Sequence, residues 1–159
     1  MKGKFPMAKI GFKNSIIGTN GNDQLTHSTS EYVAIFGKRG ADTLTLEHGN
    51  GGALYGGRGK DTLNGGPGSD VLWGGRGRDK FIFDDLPNGR GVDAIGDFAH
   101  GKDKIVLDLD VFDLPRGGDW FGTVVTFDEQ SRELSYNGEV VAIIRGDAKV
   151  TDQDFLFVS

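Results

Sequence analysis

The feature that most constrains this chain is a nine-residue segment that returns five times. It reads Gly18-Thr-Asn-Gly-Asn-Asp-Gln-Leu-Thr26, Gly37-Lys-Arg-Gly-Ala-Asp-Thr-Leu-Thr45 and Gly56-Gly-Arg-Gly-Lys-Asp-Thr-Leu-Asn64. Gly65-Gly-Pro-Gly-Ser-Asp-Val-Leu-Trp73 and Gly74-Gly-Arg-Gly-Arg-Asp-Lys-Phe-Ile82 follow with no gap. Each unit keeps glycine at positions one and four, aspartate at six and a large apolar residue at eight. The first three begin nineteen residues apart, and the gaps hold degenerate copies ending in Ala34-Ile-Phe36 and Ala53-Leu-Tyr55. Val33 and Gly52 stand there in place of the aspartate. A period of this length means one supersecondary unit stacked on copies of itself.

Glycine sits where the chain must turn sharply, and the last three residues of each unit form a short strand with its middle side chain in the core. Two units complete one turn, so residues about eighteen apart lie about 4.8 Å apart on neighbouring strands. One column of loops then carries Asp23, Asp42, Asp61 and Asp79, and the other carries the degenerate loops and Asp70. Random surface turns would not keep Leu25, Leu44, Leu63, Leu72 and Phe81 in register. The reading is an all-β chain: a right-handed parallel β-roll with a C-terminal β-rich cap.

Stacked carboxylates need a counter-ion. Two of them about 5 Å apart repel by roughly 3 kcal/mol at an effective dielectric of 20. Calcium takes six to eight oxygens, backbone carbonyls included, in flexible geometry, whereas magnesium tends to keep its waters. With no cysteine and no paired histidine there is no ligand set for zinc. The expected donors are Asp23, Asp42, Asp61, Asp70 and Asp79. With them go the glycines and third residues of the loops: Gly18 and Asn20, Gly37 and Arg39, Gly56 and Arg58. Gly65 with Pro67 and Gly74 with Arg76 complete that set, for about three to five calcium ions in all.

The motif resembles the RTX (repeats-in-toxin) calcium-binding nonapeptide, closely over Gly18 to Phe83 and more loosely to the C-terminus. In that family the roll is followed by a closing segment, matched here by Asp93-Ala-Ile-Gly-Asp97-Phe98 and Gly101-Lys-Asp103-Lys-Ile105. The resemblance therefore adds Asp93 and Asp103 as expected ligands. It also implies a C-terminal cap over Phe127 to Ser159, with Arg132 standing where a glycine is usual. The tail Asp154-Phe-Leu-Phe-Val-Ser159 looks like the uncleaved signal read by type I secretion systems, and it also reads as an ordinary last strand. The implied organisation is an N-terminal arm over 1–17, the roll over 18–83 and the cap over 84–159, as one continuous unit.

Net charge is −5, and from Phe81 onward sixteen acidic residues face seven basic ones, so nucleic acid is not an expected partner. No apolar run approaches the roughly 20 residues that span a bilayer. Met1 to Gly18 is basic without an apolar core, unlike a secretory signal peptide. The expectation is a secreted protein or module that folds on extracellular calcium and has the type I secretion apparatus as a partner.

Three exposed patterns remain. Arg39, Arg58 and Arg76 stack at position three with Lys38, Lys60 and Arg78 nearby, either to grip an acidic polysaccharide or as solubilising loop charge. Phe36, Tyr55 and Trp73 form a stripe that either packs on the C-terminal segment or the N-terminal arm, or serves as a sugar platform or dimer contact. Thr26, Thr43, Thr45 and Thr62 form a short ladder, read as β-propensity on a solvent face over ice binding. There is no HExxH, GxSxG or cysteine nucleophile, and His27, His48 and His100 read as solvated. No catalytic role is expected.

Overall fold

The structure, a computed structural model, describes residues 14–47, 50–86, 91–114, 119–146 and 149–159. Most of the N-terminal arm (residues 1–13) and His48 lie outside the described residues. Two sheets face each other. The first contains β1 (Ser15–Ile17), β3 (Ala34–Arg39), β5 (Ala53–Gly59), β7 (Val71–Gly77) and β9 (Asp93–Phe98), all parallel. The second contains β2 (Gln24–His27), β4 (Thr43–Leu46), β6 (Thr62–Asn64), β8 (Lys80–Phe83), β10 (Lys104–Asp108) and β14 (Phe155–Val158), also parallel. The chain alternates between the sheets, two strands to a turn, as a β-roll does.

Register follows the repeat. Leu25 pairs with Leu44, Leu44 with Leu63, Leu63 with Phe81, Phe81 with Ile105 and Ile105 with Phe155. Opposite them Ile16, Ile35, Leu54, Leu72 and Ile95 form a second ladder. Leu44, Leu63, Leu72, Phe81, Ile35, Leu54, Ile95 and Ile105 are fully buried, so the core is the seam between the ladders. Removing one inward leucine, as in Leu63→Ala, should cost about 2–5 kcal/mol in a calcium-saturated thermal melt.

The cap continues the first sheet: β13 (Glu139–Gly146) pairs parallel with β9, then β12 (Glu133–Tyr136) and β11 (Val125–Phe127) add antiparallel. Asn137 and Gly138, both at positive φ, make the hairpin turn between β12 and β13. Arg132 occupies the left-handed region (φ 67), as glycine would. Two apolar, β-branched runs of the sequence are strand only in part. The run Ile105 to Phe112 keeps only β10, because the chain turns after Asp108, whose Oδ1 accepts the Asp110 N–H at 2.9 Å. The run Thr123 to Phe127 keeps only its last three residues.

In the first sheet the strands also run longer than three residues. Arg39, Arg58 and Arg76 are paired in register, and Gly40 N–H donates to the Arg58 carbonyl at 3.0 Å. Successive loops stack closely enough to hydrogen-bond to one another, which extends each strand into the next unit. Lys38 pays for this with a φ of 83° at a position where Gly57 and Gly75 serve in later turns. Lys38→Gly should therefore raise stability by about 1 kcal/mol, read as a rise of about 2–4 °C in Tm.

Candidate metal centre

One edge of the roll is built from the loops that enter β2, β4, β6, β8 and β10, and each ends in an aspartate: Asp23, Asp42, Asp61, Asp79 and Asp103. Each carboxylate reaches one rung back. Asp42 Oδ1 accepts the Asp23 N–H at 2.9 Å, Asp61 Oδ1 the Asp42 N–H at 2.9 Å, and Asp79 Oδ1 the Asp61 N–H at 2.9 Å. Asp103 Oδ1 takes the Asp79 N–H at 3.0 Å. The carboxylates thus lie in the gaps between rungs.

The second oxygen is left over. Oδ2 of Asp42, Asp61 and Asp79 is buried with no hydrogen-bond partner. Leaving a buried carboxylate oxygen unpaired costs at least about 1–3 kcal/mol, so the arrangement asks for a ligand. The first-position glycines make room for it. A Cβ on Gly56 would stand 2.5 Å from Asp61 Oδ2, one on Gly74 2.6 Å from Asp79 Oδ2, and one on Gly18 2.7 Å from Asp23 Oδ2. Close approach, rather than positive φ, is what selects glycine here; positive φ falls at positions two and four, as in Gly57 and Gly59.

The ends of the column differ. Asp23, with no rung above it among the described residues, is closed by Thr19, whose N–H and Oγ1 donate to its carboxylate at 2.7 Å and 3.0 Å. At the other end Asp103 Oδ2 accepts the Ala99 N–H at 2.8 Å. On the opposite edge the degenerate loops supply no aspartate, and Asp70 has both carboxylate oxygens buried and unpartnered. Its N–H donates to Asp93 Oδ1 at 2.9 Å, so Asp93 extends the second column as Asp103 extends the first.

Burial dominates the electrostatics. It pushes Asp61 and Asp79 up to about 6, against the backbone hydrogen bonds from Asp42 and Asp61 and with added repulsion from neighbouring aspartates. Asp70 rises to about 7, with Asp85 adding repulsion, and Asp93 to about 8, with Asp70, Asp85 and Asp84 adding theirs. Asp42 is raised for the same first reason. A dication in the gaps reverses that penalty. Among the described residues no group of three or more His, Cys, Asp or Glu side chains converges on one point. The donors on offer to an ion here are one or two carboxylates and backbone carbonyls, an all-oxygen set that suits calcium.

The third-position carbonyls expected as donors stand along this edge, except Pro67, which lies on the opposite one beside Gly65 and Asp70. The Arg58 carbonyl already accepts the Gly40 N–H and keeps a second lone pair. Two aspartates escaped the sequence reading. Asp97 accepts the Gly74 and Gly75 N–H groups at 2.9 and 2.8 Å, and its spacing four residues after Asp93 was the available signal. Asp154, wholly buried, accepts Gly101 N–H at 3.0 Å and Thr151 N–H at 2.8 Å and meets His100 Nδ1 at 2.7 Å. Burial pushes Asp154 up, but those hydrogen bonds outweigh it and hold the carboxyl below its ordinary value. His100 is therefore not merely solvated, and His27 meets Thr29 Oγ1 at 2.8 Å.

The aromatic stripe is half-buried. Phe36 and Tyr55 stack at 4.8 Å and 5°, while the Trp73 ring lies over Gly96 of β9, in the expected C-terminal segment. The threonine ladder ends after Thr43 and Thr62, where Lys80 and Lys104 continue the same register.

Residues 48–81 match the family model of the RTX calcium-binding nonapeptide repeat, in four copies. The units at 18–26 and 37–45, set apart by degenerate copies, fall outside that match. No curated protein sequence matches the chain. Two solution structures from Azotobacter vinelandii resemble it: the AlgE6R2 and AlgE6R3 subunits of mannuronan C5-epimerase. AlgE6R2 is 24% identical, covers 91% of this chain and 92% of its own, and superposes with a TM-score of 0.35. AlgE6R3 is 24% identical over 94% of this chain and 86% of its own, with a TM-score of 0.35. No helix among the described residues is long and apolar enough to cross a membrane. With its parallel two-sheet roll and its glycine-cradled aspartates, this chain carries the RTX calcium-binding nonapeptide repeat.

Proposed function

We propose that the chain is a calcium-triggered folding module of an exported protein and has no catalytic role of its own. The observation that carries this reading is the row of buried, unpartnered oxygens on Asp42, Asp61, Asp79 and Asp70. Calcium ions sit at the unpartnered oxygens between the rungs, about three in the first column and one or two in the second. The aspartates Asp23, Asp42, Asp61, Asp79 and Asp103, with Asp70 and Asp93 opposite, supply the charge; loop carbonyls complete each shell. Where calcium is scarce, repulsion and desolvation keep the chain unfolded and threadable. In millimolar calcium only the folded form binds, and each site filled at 100 times its dissociation constant adds about 2.7 kcal/mol.

The tail supports export through a type I apparatus. Asp154 is buried and Phe155 packs in the core, while Leu156, Phe157 and Val158 remain exposed to 38%, 41% and 46%. In the folded protein this segment is docked on β10, so a receptor reads it before calcium folds the chain. Calorimetric titration tests the module. Asp61→Asn keeps one acceptor for the Asp42 N–H but removes the charge, so it should bind about one ion fewer than the parent. An unchanged stoichiometry would rule out the interstrand site.

A second reading, binding of an acidic polysaccharide, is favoured by one observation: Arg39, Arg58 and Arg76 stand in register on adjacent strands, all exposed.

A further inference from the structure

We propose that the arginine ladder is only one shoulder of a continuous cationic saddle. It crosses the loop edge to a second shoulder at Lys80 and Lys104, and it holds a linear acidic polysaccharide along the axis of the roll. This rests on the second reading above and extends it to residues that reading does not use.

Three shallow grooves line the edge. The first, about 460 Å³, runs beside Lys38, Arg39, Arg58 and Arg76. The second, about 580 Å³, follows the crest of the loops and shares Arg58 and Arg76 with the first. It also includes Lys60 and Arg78, and these two line the third groove as well. That third groove, about 410 Å³, adds Lys80, Lys102 and Lys104. The shared residues make the three grooves one surface.

The charges on it are repeated, and apart from Lys104, whose Nζ donates to the Gln153 carbonyl, their side chains have no hydrogen-bond or ion-pair partner among the described residues. Lys80 and Lys104 are paired in register on β8 and β10, as Arg39, Arg58 and Arg76 are on β3, β5 and β7. Like charges directly opposite on neighbouring strands are destabilising. None of Arg39, Arg58, Arg76, Lys60, Arg78 and Lys80 makes an ion pair with a described residue. Asp42, Asp61 and Asp79 are buried with one unpartnered oxygen each, and Asp61 and Asp79 also line the third groove from below. Filling those gaps with dications raises the potential of the whole edge. An anion lying on the outside is what the saddle lacks.

Spacing selects the anion. The cations stand on successive rungs about 4.8 Å apart, three arginines on the first shoulder and two lysines on the second. A polyuronate carries one carboxylate per sugar, a repeat of similar length. Duplex DNA presents one charge about every 1.7 Å of axis, far denser than the ladder. No aromatic side chain lines any of the three grooves, so the surface lacks the stacking platform that single-stranded nucleic acid uses.

The test uses the full chain in saturating calcium and low salt, titrated with a short polyuronate oligomer. Replacing the ladder (Arg39→Gln, Arg58→Gln and Arg76→Gln together, which keeps the backbone carbonyls) should weaken binding about tenfold. Replacing the second shoulder (Lys80→Ala with Lys104→Ala) should weaken it about threefold, and added salt should weaken the parent further. Circular dichroism in calcium reports whether each variant is folded; Lys80→Gln with Lys104→Gln replaces the alanine pair if that pair fails to fold. A lysine variant that binds like the parent while the arginine variant does not overturns the saddle and leaves the ladder reading standing. If neither variant loses affinity, both are overturned. A short DNA duplex bound as tightly as the oligomer overturns the assignment to polysaccharide.

Discussion

Stripped of divalent cations at pH 8, the chain should show the circular dichroism of an unfolded polypeptide, and millimolar calcium should restore a strong β signal that EDTA then removes. The aspartates decide this. Asp61 and Asp79 stand at about 6, Asp70 at about 7 and Asp93 at about 8 in the ion-free fold, each raised first by burial. Unfolded, all four return toward 3.8. Because the folded values are the higher ones, protons favour the fold. That stabilisation is complete below about 4, and it is lost as pH climbs through 6 to 8. Chelated protein should therefore regain part of its β signal when acidified to about pH 4.5. In the acid-refolded form calcium must displace protons, so binding near pH 5 should release them and calcium affinity should fall on acidification. A chelated sample that stays fully β at pH 8 would sink this account.

Gly56→Ala should be among the most damaging single changes, although it adds one methyl group. The new Cβ would stand 2.5 Å from Asp61 Oδ2 and 2.7 Å from the Gly74 carbonyl oxygen, and the backbone oxygen cannot move aside. The carboxylate must then leave the gap between rungs. Overpacking of this kind costs about 1–3 kcal/mol, and losing an ion that had been held at 100 times its dissociation constant removes about 2.7 kcal/mol more. The total is roughly 4 kcal/mol, with about one fewer ion in a calorimetric titration. Gly101→Ala is the contrast. A Cβ there meets nothing within 4 Å, and only its φ of 73° is unfavourable. That variant should lose about 1 kcal/mol and no ion. Equal losses at both glycines would show that backbone conformation, not the carboxylate cradle, governs the first position.

The repeat made the roll legible because a solenoid converts sequence period into spatial adjacency. Leu25, Leu44 and Leu63 are nineteen apart in the chain and adjacent in the sheet. Asp42 and Asp61 inherit the same relation, so the aspartate column could be read directly from spacing. The cap has no such period. His100 and Asp154 are 54 residues apart, and no local pattern announces that the tail holds the turn before Asp103. The apolar run from Ile105 to Phe112 is strand only as far as Asp108, because β-propensity does not register where a carboxylate turns the chain.

The sequence by itself determined the two columns, the inward ladders and the stacking of Asp23, Asp42, Asp61 and Asp79, since all three follow from phase, whereas Asp93 and Asp103 came from the resemblance alone. Only the tertiary structure decided how each carboxylate divides its two oxygens. One accepts the N–H of the preceding aspartate, and for Asp42, Asp61 and Asp79 the other is left bare. The tertiary structure alone also brought Lys80 and Lys104 round to continue the basic edge. The reason is physical: a period states which residues neighbour one another, whereas hydrogen-bond direction and solvent exposure depend on how tightly the rungs close.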